Sequence, residues 1–233
     1  MNIIKEIDIL KVNDGVPAIK TDVVVVEADV YIYVNGRLHA ALAATPQNIE
    51  ELVWGHLLST GVISEASDVN RMDRDDGSLT FRVETARPQA SDCPPVPDGL
   101  VVPASEILLN MEKFLHTSEL FHDTGAAHSC ALIVDGQFSH FMEDIGRHNA
   151  LDKTIGSALR EKAPLNRAVA LTSGRVPGEI MHKIIQSRIQ IVVSRSAPTD
   201  AAVGLALKNN VTLCGFARRQ TINIYAGRQR ITL

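Results

Sequence analysis

The sequence predicts an α/β protein whose core is a mostly parallel or mixed sheet flanked by helices. In the C-terminal half, short apolar strands over 168–171 and 189–193 are each followed by small or hydroxyl residues and then by a helix. Strands that alternate with helices in this way are typical of such a sheet. The 233 residues are 45% hydrophobic, which is enough for a globular core. We divide the chain into a smaller β-rich subdomain over 1–84, a proline-rich loop over 85–102 and the α/β domain over 103–233.

The N-terminal subdomain is predicted to contain strands and one helix. Residues 22–44 form three short strands, and the pair Asn35-Gly36 is a strong hairpin signal. Thr45-Pro46 predicts a helix N-cap followed by proline at the first helical position, with the helix continuing to about Thr60. Residues 68–84 predict a further pair of strands.

The α/β domain is predicted to start with a helix over about 104–121. A loop then leads into a strand that begins near His128, and a turn at Asp135-Gly136 connects it to a return strand over 137–142. The last two strands are expected on either side of 215–221.

Three predicted helix starts carry arginines. Arg147 and His148 follow Gly146, where apolar residues begin to recur at helical spacing. Because the first N–H groups and the dipole of a helix favour an anion, an arginine there can bind phosphate or carboxylate oxygens. One such junction alone is ordinary turn chemistry, but parallel strands end at one edge of a sheet, so we expect the three arginines to converge. The other two junctions, before helices that begin at about Pro177 and 199, contain Ser173, Arg175, Arg195 and Ser196.

Charge is divided unevenly along the chain. Residues 145–233 contain 14 lysines and arginines against 4 acidic residues, whereas residues 1–144 contain 9 against 23. The C-terminal part is therefore expected to attract polyanions. Nucleic acid is a disfavoured partner, because only 4% of the residues are aromatic and no nucleic-acid-reading motif occurs. We find no apolar signal segment and no apolar run of about 20 residues, so we expect a cytoplasmic protein with no membrane contact.

The three cysteines, Cys93, Cys130 and Cys214, lack the spacing of a disulfide framework or a zinc site. Cys214 lies in an apolar run and is predicted to be a buried strand residue. Cys93 lies in the proline-rich loop, which is either a solvated connection or a functional segment. A zinc deaminase is excluded, because Cys130 stands where its glutamate would follow His128 and no Pro-Cys-x-x-Cys occurs.

Eight motifs are spread over nearly the whole chain. They are Val34-Asn35-Gly36, Thr45-Pro46, Gly61-Val62-Ile63, Thr124-Gly125-x-x-His128, the run from Glu143 to Lys153, Ser173-Gly174-Arg175-Val176, Ser196-Ala197-Pro198-Thr199 and Gly215-Phe216-Ala217-Arg218. In this order they resemble the formate dehydrogenase accessory protein FdhD family. The resemblance implies a cytidine-deaminase-like core and a cytoplasmic homodimer. It also implies that sulfur passes from a cysteine desulfurase to bis-molybdopterin guanine dinucleotide before this cofactor enters formate dehydrogenase.

The resemblance adds binding residues to those at the strand ends. The cofactor carries two pyrophosphates and two guanosines, so GDP is expected to mimic half of it. The tail loop departs from the glycine-rich form usual in the family at Arg219-Gln220-Thr221. The full set of predicted cofactor contacts is His128, Arg147, His148, Ser173, Arg175, Arg195, Ser196, Phe216, Ala217, Arg218, Arg219, Gln220 and Thr221, and no metal site is predicted.

One departure affects the chemistry. The family's persulfide loop normally contains a Cys-Gly-x-Cys-type pair before the segment that matches Pro94 to Gly99, and this chain has only Cys93 there. Sulfur transfer needs a thiolate, and a second cysteine commonly helps to form or resolve the persulfide. Cys93 is the candidate carrier. Two functions therefore stay open: a sulfur carrier, and a chaperone that binds the cofactor or a guanine nucleotide without moving sulfur.

Overall fold

The computed structural model describes residues 2–86 and 95–233. Its N-terminal part contains β1 (Ile4–Asn13), β2 (Val16–Val25), β3 (Ala28–Val34), β4 (Arg37–Ala44), α1 (Ile49–Ser59), β5 (Val69–Arg74) and β6 (Thr80–Thr85). Its C-terminal part contains β7 (Val102–Pro103), α2 (Ala104–Thr117), α3 (Glu119–Thr124), β8 (His128–Val134), β9 (Gln137–Asp144), α4 (Arg147–Arg160), β10 (Ala168–Thr172), α5 (Gly178–Gln186), β11 (Ile191–Ser194), α6 (Asp200–Lys208), β12 (Thr212–Arg218), β13 (Thr221–Ala226) and β14 (Ile231–Thr232).

The main sheet has six strands in the order β13-β12-β11-β10-β8-β9. Strands β10, β11 and β12 pair in parallel, whereas β8, β9 and β13 pair antiparallel with their neighbours. The predicted α/β class is confirmed, with a mixed sheet that is parallel at its centre. Tight turns after β8 and β12 explain the antiparallel edges, because a two-residue turn joins only antiparallel strands. The likeness to cytidine deaminases stays a prediction.

Both faces of this sheet are covered. Successive side chains of β10 alternate: Ala168 and Ala170 pack in the core that α4, α5 and α6 share, while Val169 and Leu171 pack against α2. Helices therefore lie on both faces and leave the strand ends as the open edges. These edges are where α/β sheets bind ligands.

Helices α1 and α4 join the N-terminal part to the main sheet through two glycines. A Cβ atom on Gly55 would lie 1.7 Å from the carbonyl oxygen of Asp152, and one on Gly156 would lie 1.8 Å from that of Glu51. Only glycine permits this approach of two helix backbones. The predicted N-terminal subdomain thus shares one continuous hydrophobic core with the α/β domain.

The N-terminal part also contains structure that the sequence did not predict. Strands β3 to β6 form a sheet in the order β4-β3-β6-β5, as expected for the Asn35-Gly36 hairpin and the 68–84 pair. A separate two-stranded sheet, β1 with β2, extends over ten residue pairs, whereas the prediction placed only a short strand at 23–26 there.

The predicted start of the first helix was wrong. Helix α1 begins at Ile49, after Asn48 in a left-handed conformation (φ 53°), and not at Pro46. Thr45 is wholly buried, its N–H donates to Asp144 Oδ2 (3.1 Å), and its carbonyl accepts from Lys153 Nζ (3.0 Å). These long-range contacts fix Thr45 four residues before the helix, so it cannot act as the N-cap.

The predicted single helix over 104–121 is two helices, because α2 ends at Thr117 and α3 begins at Glu119. The break is at Ser118, whose hydroxyl donates to Glu143 of β9. Among the described residues, no helix is both long and apolar enough to cross a membrane.

Candidate functional site

The carboxyl ends of the parallel strands meet at one edge of the main sheet. Ser173 follows β10 and Arg195 follows β11. The backbone connects these ends, since Arg195 N–H donates to the carbonyl of Thr172 (3.1 Å) and Phe216 N–H donates to that of Ser196 (3.0 Å). The structure thus brings Ser173, Arg195, Ser196 and the end of β12 together, as the sequence predicted.

A small chamber of about 140 Å³ lies at this edge. Its walls from α2 and α3 are apolar, and its polar groups come from the residue between these helices, the start of β8 and the ends of β10 and β11. Its lining residues are Phe114, Leu115, Ser118, Phe121, Ala127, His128, Ser129, Ser173 and Arg195.

A larger groove of about 650 Å³ adjoins the chamber, because Leu115 and Arg195 line both. It is cationic on the side of the β12–β13 hairpin. Its lining residues are Glu112, Leu115, His116, Arg195, Arg218, Arg219 and Thr221. We call the two cavities together the strand-end cleft.

Arg147 lies beside the chamber at the start of α4, where Gly146 is the N-cap residue. Its side chain packs on Gly174, since a Cβ there would lie 3.1 Å from Arg147 Cβ and 3.5 Å from His128 Nδ1. Arg147 Nε is buried and has no hydrogen-bond partner among the described residues. A buried unpaired donor is costly unless a ligand or water binds it.

His128 is held by the ends of two strands. Its Nδ1 lies 3.4 Å from Ser173 Oγ, which accepts from Ser129 N–H (3.0 Å). Ser173 Oγ can donate one hydrogen bond and accept a second one, so it can pair with Nδ1 of either neutral tautomer of His128. Burial lowers the pKa of His128, and Arg147 and Arg175 lower this pKa further. His128 is therefore neutral at pH 7 and can donate one hydrogen bond.

Comparisons with known proteins agree with this fold. A model of the FdhD/NarQ family matches residues 25–96 and 85–232. The chain belongs to the FdhD/NarQ family. A relative from Methanothermobacter thermautotrophicus, named sulfur carrier protein FdhD, is 28% identical over 99% of this chain and 100% of its own length. The protein of that name from Staphylococcus haemolyticus is 34% identical over 96% of this chain and 95% of its own.

A crystal structure supports the same assignment. A protein from Desulfotalea psychrophila, described as a formate dehydrogenase accessory protein, superposes with a TM-score of 0.88 at 26% identity. The superposition covers 99% of this chain and 100% of that chain. The fold that forms the strand-end cleft is therefore that of an FdhD/NarQ protein.

Some predicted contacts of this FdhD/NarQ chain lie outside the cleft. His148 does not line either cavity; its Nε2 lies 3.2 Å from Glu179 Oε2 on α5, without hydrogen-bond geometry. Burial lowers the pKa of His148, and Arg147 and Lys183 add to that effect. Ala217 is wholly buried in the core, so only its backbone can face a ligand.

The remaining predicted contacts differ in their environment. Arg175 is exposed and affects His128 only through its charge. Phe216 adopts a left-handed conformation (φ 52°) at a bulge of β12, and the guanidinium of Arg218 lies 5.9 Å from its ring centre. Gln220 is exposed in the β12–β13 turn and does not line the groove.

The acidic and basic residues from Glu143 to Lys153 are mostly structural. Asp144 and Lys153 form a wholly buried ion pair of 2.6 Å. Asp144 Oδ1 also accepts from Gly146 N–H (2.8 Å) and Asn149 Nδ2 (3.0 Å). Glu143 accepts from Ser118 and thereby fixes α3 against the chamber. Of this run, Arg147 is the residue that lies beside the chamber.

Cys93, the predicted carrier, lies outside the described residues. The nearest described segment lies at the amino ends of the parallel strands, since Val96 N–H donates to the carbonyl of Asn209 (3.0 Å) and Leu100 N–H to Gln190 Oε1 (3.1 Å). Cys130 and Cys214 are buried, which raises the pKa of each thiol to about 12. Neither is a thiolate at neutral pH, so neither can carry sulfur.

The sequence missed the helical wall of the cleft. Glu112, Leu115 and His116 of α2, and Phe121 of α3, line it. A local signal did exist for the first three, because residues at i, i+3 and i+4 share one helix face. Nothing in the sequence states which element that face meets.

Proposed function

We propose that this chain is a formate dehydrogenase accessory protein that binds bis-molybdopterin guanine dinucleotide as its cargo. The observation that carries the proposal is the strand-end cleft, in which Arg195, Arg218 and Arg219 line a groove of about 650 Å³. One guanidinium group can donate hydrogen bonds to two phosphate oxygens at once. Pockets for small-molecule ligands usually occupy about 300–1,000 Å³. The names of the relatives support the accessory role and a role in sulfur transfer, and name no ligand.

The two cavities suit different parts of such a ligand. The groove offers cations for a pyrophosphate, whereas the chamber of about 140 Å³ is too small for a nucleotide and suits a ring or an end group. The neutral His128 and the hydroxyl of Ser173 at its polar end can bind a polar substituent. Arg147, whose Nε has no hydrogen-bond partner in the part of the chain that the structure describes, lies beside His128 and beside Gly174, which follows Ser173.

Binding of GDP tests the proposal. GDP at 100 times its dissociation constant should stabilise the protein by about 2.7 kcal/mol, which a thermal melt detects. Arg195→Ala should weaken this effect, because Arg195 lines both cavities. Arg167→Ala is the matched control, since Arg167 pairs with Asp135 away from the cleft. No stabilisation of the parent protein by millimolar GDP or GTP would exclude a guanine-nucleotide site.

We further propose that the protein carries sulfur on Cys93, since the other two cysteines are buried and protonated. In the transfer, the Cys93 thiolate attacks the terminal sulfur of a desulfurase persulfide. The S–S bond of that persulfide breaks, and the desulfurase cysteine leaves as a thiolate, so no oxidant is needed. Cysteine desulfurase and formate dehydrogenase are then the partners, and we expect a cytoplasmic homodimer.

Mass spectrometry separates this carrier from a cofactor-binding chaperone, which the missing cysteine pair favours. After incubation with desulfurase and cysteine, a carrier should gain about 32 Da, one sulfur atom, on the Cys93 peptide. Cys93→Ser should lose this gain and fail to restore formate dehydrogenase activity in a strain without its own carrier. An unmodified Cys93 with GDP binding intact would identify a chaperone that does not move sulfur.

A further inference from the structure

One acidic side chain lines the otherwise cationic groove. Glu112 of α2 is exposed and has no hydrogen bond or ion pair with any residue that the structure describes. The same groove contains Arg195, Arg218 and Arg219. Glu112 is therefore free to bind a ligand in the groove.

A carboxylate at this position does not favour a ligand that is only anionic. Like charges repel, so Glu112 weakens the binding of a bare phosphate in the groove. A ligand that gains from both sets of side chains must present acceptors to the arginines and donors to Glu112. An ionised carboxylate only accepts hydrogen bonds, through two oxygens.

Guanine supplies two adjacent donors on its Watson–Crick edge, the N1–H and the 2-amino group. A carboxylate can accept from both at once, in the same forked geometry that it uses with arginine. Adenine presents an unprotonated N1 at that edge, which repels a carboxylate. Leu115 and His116 share the helix face of Glu112 and can contact the base.

We propose that Glu112 selects guanine by accepting hydrogen bonds from the N1–H and the 2-amino group of the base. This inference rests on the proposed nucleotide binding at the strand-end cleft. Glu112 is then a specificity residue, and the arginines supply the affinity for the phosphates.

The selection for guanine can be measured in the intact protein with three nucleoside diphosphates: GDP, ADP and IDP. The base of IDP differs from guanine only in lacking the 2-amino group. By isothermal titration calorimetry, the parent protein should bind GDP about tenfold more tightly than IDP or ADP. Glu112→Gln should bind all three within about twofold of one another. Glu106→Gln removes the same charge from the same helix outside the groove and should keep the tenfold preference.

Each outcome gives a separate answer. Equal affinities of the parent protein for GDP, IDP and ADP, or an unchanged preference in Glu112→Gln, would overturn the role of Glu112 and leave phosphate binding at the cleft intact. A parallel loss of preference in Glu106→Gln would show a general charge effect and also overturn it. Failure of the parent protein to bind any of the three would overturn the proposed function together with this inference.

Discussion

Lys153→Met should strongly destabilise the protein, because it leaves a charged carboxylate buried. Lys153 and Asp144 are both wholly buried, with 2.6 Å between Nζ and Oδ2. Without the lysine, Asp144 keeps three hydrogen bonds, from Thr45 N–H, Gly146 N–H and Asn149 Nδ2. No cation then offsets its desolvation. Breaking one partner of such a pair typically costs about 3–5 kcal/mol, a large share of the roughly 5–15 kcal/mol by which native proteins are stable.

Urea denaturation measures this loss as the change in the free energy of unfolding. The matched control is Arg167→Met, because Arg167 and Asp135 form a pair of 2.5 Å whose side chains are 63% and 51% exposed. An exposed pair contributes about 0–1 kcal/mol. Because the two ion pairs have similar lengths and differ in burial, the difference between the two variants measures the effect of burial. The double variant Asp144→Asn, Lys153→Met should be less destabilised than Lys153→Met alone, since no charge remains buried. A loss below about 1 kcal/mol in Lys153→Met would refute the reasoning.

Three further outcomes follow from the structure. Arg218→Ala should weaken GDP binding about tenfold and reduce its salt dependence, while Lys208→Ala, outside the strand-end cleft, should leave both unchanged in the same titration. Since the folded state lowers the pKa of His128, stability measured by urea denaturation should fall as the pH decreases from about 6.5 through the lowered value, and His128→Asn should show a smaller fall. Gly156→Ala should lower the melting temperature or prevent folding, because its Cβ would lie 1.8 Å from the carbonyl oxygen of Glu51.

The strand-end residues were predictable because the order of strands and helices and the residue types at the junctions both indicated one edge of the sheet. Each short apolar strand was followed by a hydroxyl residue, an arginine and a helix, and parallel pairing places such junctions at one edge. Ser173 and Arg195 line the chamber as that reasoning required. The local pattern also predicted His128 at the entry of β8, but only the structure shows that β8 pairs antiparallel with β10, which places this entry beside the end of β10.

Long-range contacts were not predictable from local pattern. Thr45 has the sequence context of an N-cap, but its contacts with Asp144 and Lys153, about 100 residues away, take precedence over that local preference. Ser118 interrupts a helix whose apolar spacing continues past it, because Glu143 accepts its hydroxyl hydrogen. In each case a buried or half-buried polar group has its partner far away in the sequence, and the local structure follows that long-range hydrogen bond.

The run from Glu143 to Lys153 shows how a motif can combine a site and the support that positions it. Asp144 accepts a hydrogen bond from the N–H of Gly146, immediately before Arg147, and forms an ion pair with Lys153, about two turns further along α4. These contacts fix the backbone before Arg147 to the first turns of α4. Variants of Asp144 or Lys153 should therefore lose stability first, whereas variants of Arg147 should lose ligand affinity while the fold persists. The same motif would give both phenotypes, and only paired measurements of unfolding and of GDP binding would separate them.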